Sequence, residues 1–467
     1  MLTFKPVTVR DGNILRRYYQ DCGYALSAYS FGKKLRERAT LRSCWAEVCG
    51  CLVVRGERGG HWVFDYPVPG TDGDEGAALR AIEDECLSKN EPPRIRAVPE
   101  EKAAVLLARY PYVRVSDVRT EQDYLYDATD LRLFRGRRYA GQRNHQKQFR
   151  LRCPDAVFRP LTRADAPAVA QFWETFEADF PKRNDSAAMD ELSYAKRILK
   201  QADKPWFVAG GLFDGETLIA LSLAEQCGDT LMVHVEKALY SYPGAYPVLV
   251  QEFANAFGTS CRRVNRGEDA AQRGLRMSKL QYVPVRLLSG YDIEPENELS
   301  RYVTAIPELR TSRLTLNAIG EADIPLYNEL VLDERRNRWW GYDDVAGLTE
   351  PIRTSSFYDV ARQDFENRLA INFAIRLDGQ FIGEAVLYRF DYRGGAELGC
   401  RISRAYSGHG YGTEAFAAVA EWGLYALRLR RVFAKCFKEN RASYRMLSSC
   451  MRRTGKDDTF FYFEKLF

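Results

Sequence analysis

The chain has 467 residues, too many for one domain at about 100–200 residues each. With 46% hydrophobic and 28% charged residues it has the make-up of an ordinary globular protein, and no run of about 18 apolar residues is present to span a membrane. The net charge of +5 is too small to demand a nucleic-acid partner. Met1-Leu2-Thr3-Phe4-Lys5-Pro6 lacks the apolar run of a signal peptide. Among the eleven cysteines only Cys44, Cys49 and Cys51 cluster, at a spacing that does not suit zinc. A cytoplasmic protein is expected, with reduced thiols, no metal and no integral membrane association.

In chain order, Cys51–Val54 and His61–Phe64 read as strands around a turn at Arg58-Gly59-Gly60. Glu75–Lys89 reads as an amphipathic helix, with Ala78, Leu79, Ile82 and Cys86 at helical spacing. Tyr124-Leu125-Tyr126 is strand-like, and Asp165–Phe180 a helix. Trp206–Ala209 and Leu218–Leu223 are strands joined at Asp214-Gly215, and Tyr246–Phe257 is a helix. Asp292–Ser300 is acidic and carries Pro295, as a surface linker would. Beyond it the order recurs: strand Arg313–Leu316, helix Glu321–Leu330, hairpin Asn372–Arg376 and Phe381–Tyr388 across Asp378-Gly379, strand Glu397–Ile402, helix Gly412–Leu427 and strand Arg431–Phe437. The boundaries implied are 1–118, 119–291 and 301–467, each an α+β unit around a mixed sheet.

The stretch from Glu397 to Ala415 is the most informative. A strand ends, glycines alternate at Gly408, Gly410 and Gly412, and a helix opens. Glycines let backbone N–H groups approach a phosphate without a Cβ in the way. The helix N-terminus adds unpaired donors and the positive end of the dipole. Together they suit a pyrophosphate; the alternative is a plain turn between strand and helix.

This order is similar to the GNAT superfamily, and to its ribosomal-protein-type N-acetyltransferase branch. The likeness opens with Leu309-Arg310-Thr311-Ser312-Arg313-Leu314-Thr315-Leu316, continues through Asn337-Arg338-Trp339-Trp340-Gly341-Tyr342-Asp343 and ends with Asn440-Arg441-Ala442-Ser443-Tyr444-Arg445-Met446-Leu447. It implies acetyl-CoA as cofactor, with the pyrophosphate on Ser407, Gly408, His409, Gly410, Tyr411, Gly412 and Thr413. The pantetheine would follow the strand into Ile402, Ser403 and Arg404, faced by Asn440. A primary amine would attack the thioester, and its proton must leave. Glu397 is the candidate base or, alternatively, an exposed strand carboxylate. A backbone N–H near Ile402 would polarise the carbonyl, and Ser443 or Tyr444 would serve the leaving thiolate. Trp339, Trp340 and Tyr342 would wall the acceptor or, equally, pack in a core. The sequence departs from the branch at Ala405, where Gln or Arg is usual, at Cys450-Met451, and at Leu447, where many members carry Tyr. With the last residue close behind Tyr462, a short final strand is expected.

The first two units carry a second likeness. The basic, aromatic stretch Leu131–Phe149 reads either as a phosphate-binding run with Tyr139, His145 and Phe149 for stacking or as a solvated helix face. With Val233–Ala238, Gly244-Ala245-Tyr246, Val264–Asp269 and Gly274–Pro284 it resembles the C-terminal domain of phosphatidylglycerol lysyltransferases, from Phe4 to about Leu288. The resemblance implies two more GNAT-like units, hence three in all, each a mostly antiparallel mixed sheet flanked by helices. It also implies aminoacyl transfer from charged tRNA, with a polar centre for which Arg143, Asn144, Glu236, Lys237, Asn265, Arg266, Arg276 and Lys279 are candidates. Structural ion pairs would use the same residues. The loop matching the acetyl-CoA site reads Tyr242-Pro243-Gly244-Ala245-Tyr246-Pro247, whose prolines lack two donors, so this unit is not expected to bind CoA in the usual way.

The leading reading is acetyl transfer to an amine, whether a protein N-terminus, an amino acid or an aminoacylated molecule, by the last unit. The alternatives are aminoacyl-tRNA-dependent transfer through residues 4–288 and a non-catalytic binding protein.

Overall fold

The computed structural model of the chain describes residues 2–179, 186–345 and 353–467. Three mixed β-sheets flanked by helices make it an α+β protein. One sheet runs Lys5–Pro6, Cys44–Val48, Cys51–Arg58, His61–Asp65, Arg94–Val98, Tyr291–Pro295, Val113–Ser116, with Val68–Pro69 beside Cys51–Arg58. A second runs Arg286–Leu288, Asp123–Asp127, Arg263–Asn265, Thr230–Ala238, Thr217–Cys227, Val208–Asp214, Val157–Pro160. The third runs Leu309–Arg310, Leu314–Ala318, Ile371–Leu377, Gln380–Tyr388, Gly395–Ile402, Arg431–Phe437, Phe460–Leu466, Arg452–Lys456. The chain forms two compact units. One comprises Met1–Ala81, Arg94–Ala104 and Val115–Ile293; the other comprises Ile82–Pro93, Val105–Arg114 and Glu294–Phe467.

Each sheet contains a passage of strand, loop, helix and parallel strand. In the first, His61–Asp65 and Arg94–Val98 are parallel neighbours separated in sequence by helix Glu75–Ser88. In the second the passage is β1 (Thr230–Ala238), α2 (Ala245–Phe257) and β2 (Arg263–Asn265), preceded by helix α1 (Ala140–Arg152). In the third it is β3 (Gly395–Ile402), α3 (Tyr411–Tyr425) and β4 (Arg431–Phe437), followed by α4 (Arg441–Cys450). Parallel neighbours need such a crossover, because no tight turn can join them.

The third sheet owes its solidity to α3. Ala415, Phe416, Val419, Ala420 and Leu424 fall on one helical face and are buried with Phe373, Ile375, Leu387, Val432 and Phe463. Each large side chain buried this way contributes about 1.5–3 kcal/mol, which fixes α3 and the loop before it.

Three sequence expectations change. Asp292–Ser300 is not an irregular linker, and the change from one compact unit to the other falls inside it, between Ile293 and Glu294: Tyr291–Pro295 is a strand, and Glu298–Tyr302 is a helix whose N-cap Asn297 accepts from the Ser300 N–H at 3.2 Å. Its polarity misleads because the strand is two-sided. Ile293 is buried while Asp292 meets Arg58 at 2.7 Å. The final strand, Phe460–Leu466, has seven residues and pairs along all of β4, so it is not short. Trp206-Phe207 precede their strand, which begins at Val208. The helix read over Asp165–Phe180 spans Ala166–Asp179; Phe180 lies outside the described residues.

Candidate functional site

The loop between β3 and α3 is open. Gly408 and Gly410 have φ of +87° and +81°, a left-handed conformation that favours glycine, and Gly410 is the N-cap of α3. A methyl built on Gly408 would meet nothing within 4 Å, and one on Gly410 only Arg313 Nη2 at 3.5 Å. Ser407, Gly408, His409 and Gly410 are exposed, Tyr411, Gly412 and Thr413 half-buried. The rim is braced from outside. Arg313 donates from Nε to Glu414 at 2.7 Å and from Nη1 to the His409 carbonyl at 3.0 Å, and it lies over the Tyr411 ring. Burial pushes the Glu414 carboxyl up, but hydrogen bonds from Thr311, Arg313 and Ser312 outweigh it and hold it at about 2.

The strand leading into the loop offers an unpaired backbone edge. β3 and β4 pair only at Gly395↔Arg431, Ala396↔Val432 and Glu397↔Phe433, and then diverge. On its other side β3 pairs with Gln380–Tyr388 through Ile402, and the Ser403 N–H donates to the Ile382 carbonyl at 2.8 Å. Antiparallel alternation therefore turns the N–H and C=O of Leu398, Cys400 and Ile402 away from that neighbour, into the gap. An extended, amide-bearing chain can pair there. Arg404 is exposed beside it.

Below the gap lies a cavity of about 170 Å³, lined by Trp339, Trp340, Tyr388, Arg389, Glu397, Gly399, Cys400, Phe416, Lys435, Phe437, Ser443 and Phe460 among others. Glu397 and Ser443 thus share a space. Glu397 is 6% exposed and accepts from Arg389 Nη1 at 3.0 Å. Tyr444 lies outside the cavity. Its ring packs on Phe461 and Phe463, and its hydroxyl is 3.3 Å from Arg453 Nη1. The Asn440 side-chain Oδ1 caps α4 by accepting from the Ser443 N–H at 3.1 Å. Tyr342 is also outside the cavity, buried and bonded to Asp364 at 2.7 Å.

Sequence reasoning missed the buried charges that hold the tryptophans. Arg401 donates to Glu384 at 2.9 Å, to Asn337 at 2.6 Å and to Asp344 at 2.9 and 3.1 Å. Tyr327 and Asn372 also donate to Glu384, at 2.9 and 2.6 Å. The guanidinium lies 4.3 Å from the Trp340 ring centroid. Burial lifts Asp344 to about 7, against the pull of Arg401 and with a push from Glu384. A charged residue within an apolar strand was the only available sign, and its partners lie too far away in sequence to be named from it.

In the other two passages the corresponding loop is closed. A methyl on Gly73, just before helix Glu75–Ser88, would lie 2.7 Å from the Gly50 carbonyl oxygen. One on Gly244, the N-cap of α2 with φ +93°, would lie 2.6 Å from the His145 carbonyl oxygen of α1. So α1 covers the place that is open beside α3. β1 and β2 also pair only at Thr230↔Arg263, Leu231↔Val264 and Met232↔Asn265, but charged side chains occupy the gap beyond. Glu236, Lys237, Arg266 and Lys279 line a cavity of about 180 Å³ there. Arg266 Nε donates to Glu236 at 3.1 Å. Lys279 Nζ donates to the carbonyls of Arg266, Gly267 and Glu268 at 2.5, 3.0 and 2.8 Å; burial and the Arg266 charge lower it to about 8. Asn265 is buried, donating to Ala25 and Asp123 at 2.7 and 2.9 Å. Arg276 pairs with Asp269 at 2.9 Å, away from the cavity. Arg143 and Asn144 are on the exposed side of α1, Arg143 donating to the Gly136 carbonyl at 2.8 Å.

Among the described residues no cluster of His, Cys, Asp and Glu is arranged to hold a metal, and no helix is long and apolar enough to cross a membrane.

Comparison with known proteins matches two separate stretches of the chain. The GNAT acetyltransferase domain model matches residues 313–450. The model of the C-terminal domain of phosphatidylglycerol lysyltransferase matches residues 37–293, more than half of the chain. The class is thus the GNAT-like transferases. The chain belongs to the phosphatidylglycerol lysyltransferase C-terminal family and carries a GNAT acetyltransferase domain after it. Over 82 residues it is 34% identical to the uncharacterized N-acetyltransferase YnaD of Bacillus subtilis (strain 168), covering 17% of this chain and 48% of that one; the match spans about half the length of this curated relative. A conserved protein of unknown function from Bacteroides thetaiotaomicron VPI-5482 is similar over 63% of this chain and 99% of its own, at TM-score 0.56 and 25% identity. The C-terminal domain (DUF2156) of a lysylphosphatidylglycerol synthetase from Agrobacterium fabrum aligns over 61% of this chain and 92% of its own at 12% identity and TM-score 0.44.

Proposed function

We propose that the C-terminal domain transfers an acetyl group from acetyl-CoA to a primary amine in the cytoplasm. One contrast carries this reading: of three strand–loop–helix passages, only that of Gly408 and Gly410 is open to a phosphate. The pyrophosphate lies on residues 407–413, where N–H groups and the N-terminus of α3 converge. The pantetheine arm pairs with the backbone of Leu398, Cys400 and Ile402. The amine nitrogen bonds to the acetyl carbon, the C–S bond breaks, and the sulfur leaves with the electron pair. Glu397 receives the amine proton directly or through water. Ser443, in the same cavity, donates a hydrogen bond to the departing sulfur.

Titration calorimetry with acetyl-CoA tests the reading. The full chain binds one equivalent. Ser407→Glu and Gly408→Glu set a negative charge where the phosphates lie and lower affinity at least a hundredfold, with unchanged circular dichroism. Ser407 has φ −74°, so the first substitution acts without backbone strain. A folded full chain that takes up no acetyl-CoA removes the reading.

The polar cavity between β1 and β2 supports a second one, aminoacyl transfer from charged tRNA by residues 4–288. Lys279 and the Arg266–Glu236 pair are the groups best placed to meet an aminoacyl ester. Its signature is a strongly salt-dependent affinity for charged over uncharged tRNA.

A further inference from the structure

The aromatic cavity beneath the open loop is lined by three charged side chains, Arg389, Glu397 and Lys435. Arg389 and Glu397 compensate each other at 3.0 Å. Lys435 does not share in that pair. Its Nζ lies over the Phe460 ring, 4.9 Å from the centroid, and among the described residues it makes no ion pair and no side-chain hydrogen bond. The cavity therefore holds one positive charge without an ion-pair partner beside aromatic walls. A polyamine entering it would set further positive charges against Lys435. An acceptor carrying its own anion would supply what Lys435 lacks.

Size narrows the choice further. About 170 Å³ is below the roughly 300–1,000 Å³ of sites for drug-sized ligands, so the reacting end of the acceptor is small. Placement agrees. Glu397 is level with Phe433, Lys435 lies two residues further along β4, and both side chains line the same cavity. A molecule with an amine at one end and a carboxylate at the other can meet both.

We propose that the acceptor is a small primary amine bearing a carboxylate, its nitrogen at Glu397 and its carboxylate on Lys435. The source is a free acidic amino acid or an acidic N-terminal residue of a peptide. The proposal rests on the acetyl-CoA reading above. In the reaction the nitrogen gains the acetyl carbon, the C–S bond breaks, and the sulfur takes up a proton. The proton lost from nitrogen reaches solvent through Glu397. An N-acetyl amine and a free thiol result, with no further reactant.

The test follows thiol release by the full chain with acetyl-CoA and a set of amines: L-aspartate, L-glutamate, their α,ω-diamides, an Asp-Ala-Ala peptide, and spermidine. Acidic acceptors are expected to have kcat/KM at least tenfold above the diamides and spermidine. Turnover of the free amino acids assigns the small-molecule source, and turnover of the peptide alone assigns a protein N-terminus. Lys435→Gln raises KM for the acidic acceptor about tenfold or more with kcat and acetyl-CoA affinity little changed, as loss of one charge-assisted hydrogen bond predicts. Lys435→Arg restores the lower KM, which a merely structural defect would not allow. Spermidine or the diamides preferred, an unchanged KM in Lys435→Gln, or no acidic amine acetylated by a chain that binds acetyl-CoA overturns the acceptor assignment and leaves the cofactor reading standing. Absence of acetyl-CoA binding, read separately by calorimetry, overturns both.

Discussion

Arg401 illustrates how little of a residue's role a sequence can show. Its side chain is 4% exposed, and it neutralises Glu384, at 0%, and Asp344, at 9%. Removing one partner of such a group leaves the others buried and uncompensated, a cost of about 3–5 kcal/mol. Arg401→Met is therefore expected to lower unfolding free energy by that amount in urea titrations and to loosen Trp340, whose ring it covers. Glu298 makes the converse case. The residue is 2% exposed, with one carboxyl oxygen unpartnered. Burial, with a further push from Asp391, lifts it to about 7, against a hydrogen bond from its own backbone N–H and a weaker pull from Arg430. The folded state thus holds this proton more tightly than the unfolded chain, whose glutamate titrates near about 4.3. The contribution to stability is fully present below about pH 4 and is lost as pH rises through about 7. Glu298→Gln should flatten that slope and be the more stable form at pH 8, by roughly 3–4 kcal/mol. Sequence order exposed neither residue's surroundings, because their partners are assembled by the fold.

At the scale of elements, the sequence was most legible where local chemistry decides the outcome. Hydrophobic spacing located α3, and alternation with turn glycines located the hairpin Ile371–Leu377 and Gln380–Tyr388. The open loop could be read because Gly408 and Gly410 carry their conformational meaning with them. The second passage was legible only in part. Pro243 and Pro247 signalled a poor phosphate site, yet nothing in the sequence indicated that α1 would lie on it. The two loops should respond differently to the same small change. Gly408→Ala meets open space and suffers only the left-handed φ, about 1–2 kcal/mol. Gly244→Ala suffers that and a contact 2.6 Å from the His145 carbonyl oxygen, so its loss in a denaturant titration should exceed that of Gly408→Ala by about 1–3 kcal/mol. The strand Tyr291–Pro295 was misread because surface polarity resembles a linker when only every second residue faces inward.

At the scale of the whole molecule, one architecture is used three times with different openings. Fold class and the likeness to two families were legible from end to end, since they rest on the order of elements. Which copy is open depended on packing between distant segments and was not. Hydrogen exchange with and without saturating acetyl-CoA tests this division. Amides of residues 398–402 and 407–413 should gain protection, while those of 66–74 and 239–245 stay unchanged. Protection at residues 239–245 would show that α1 can be displaced and that the second loop also takes a nucleotide.

The indoles of Trp339 and Trp340 both line the small cavity, one ring 4.7 Å from Phe437 and the other beneath the Arg401 guanidinium. The chain has five other tryptophans, and none of them lines this cavity. Near-ultraviolet emission from this pair is sensitive to the polarity around it, so the protein carries a built-in optical gauge of what enters. A dye-free fluorescence titration can rank candidate acceptors before any turnover assay is run.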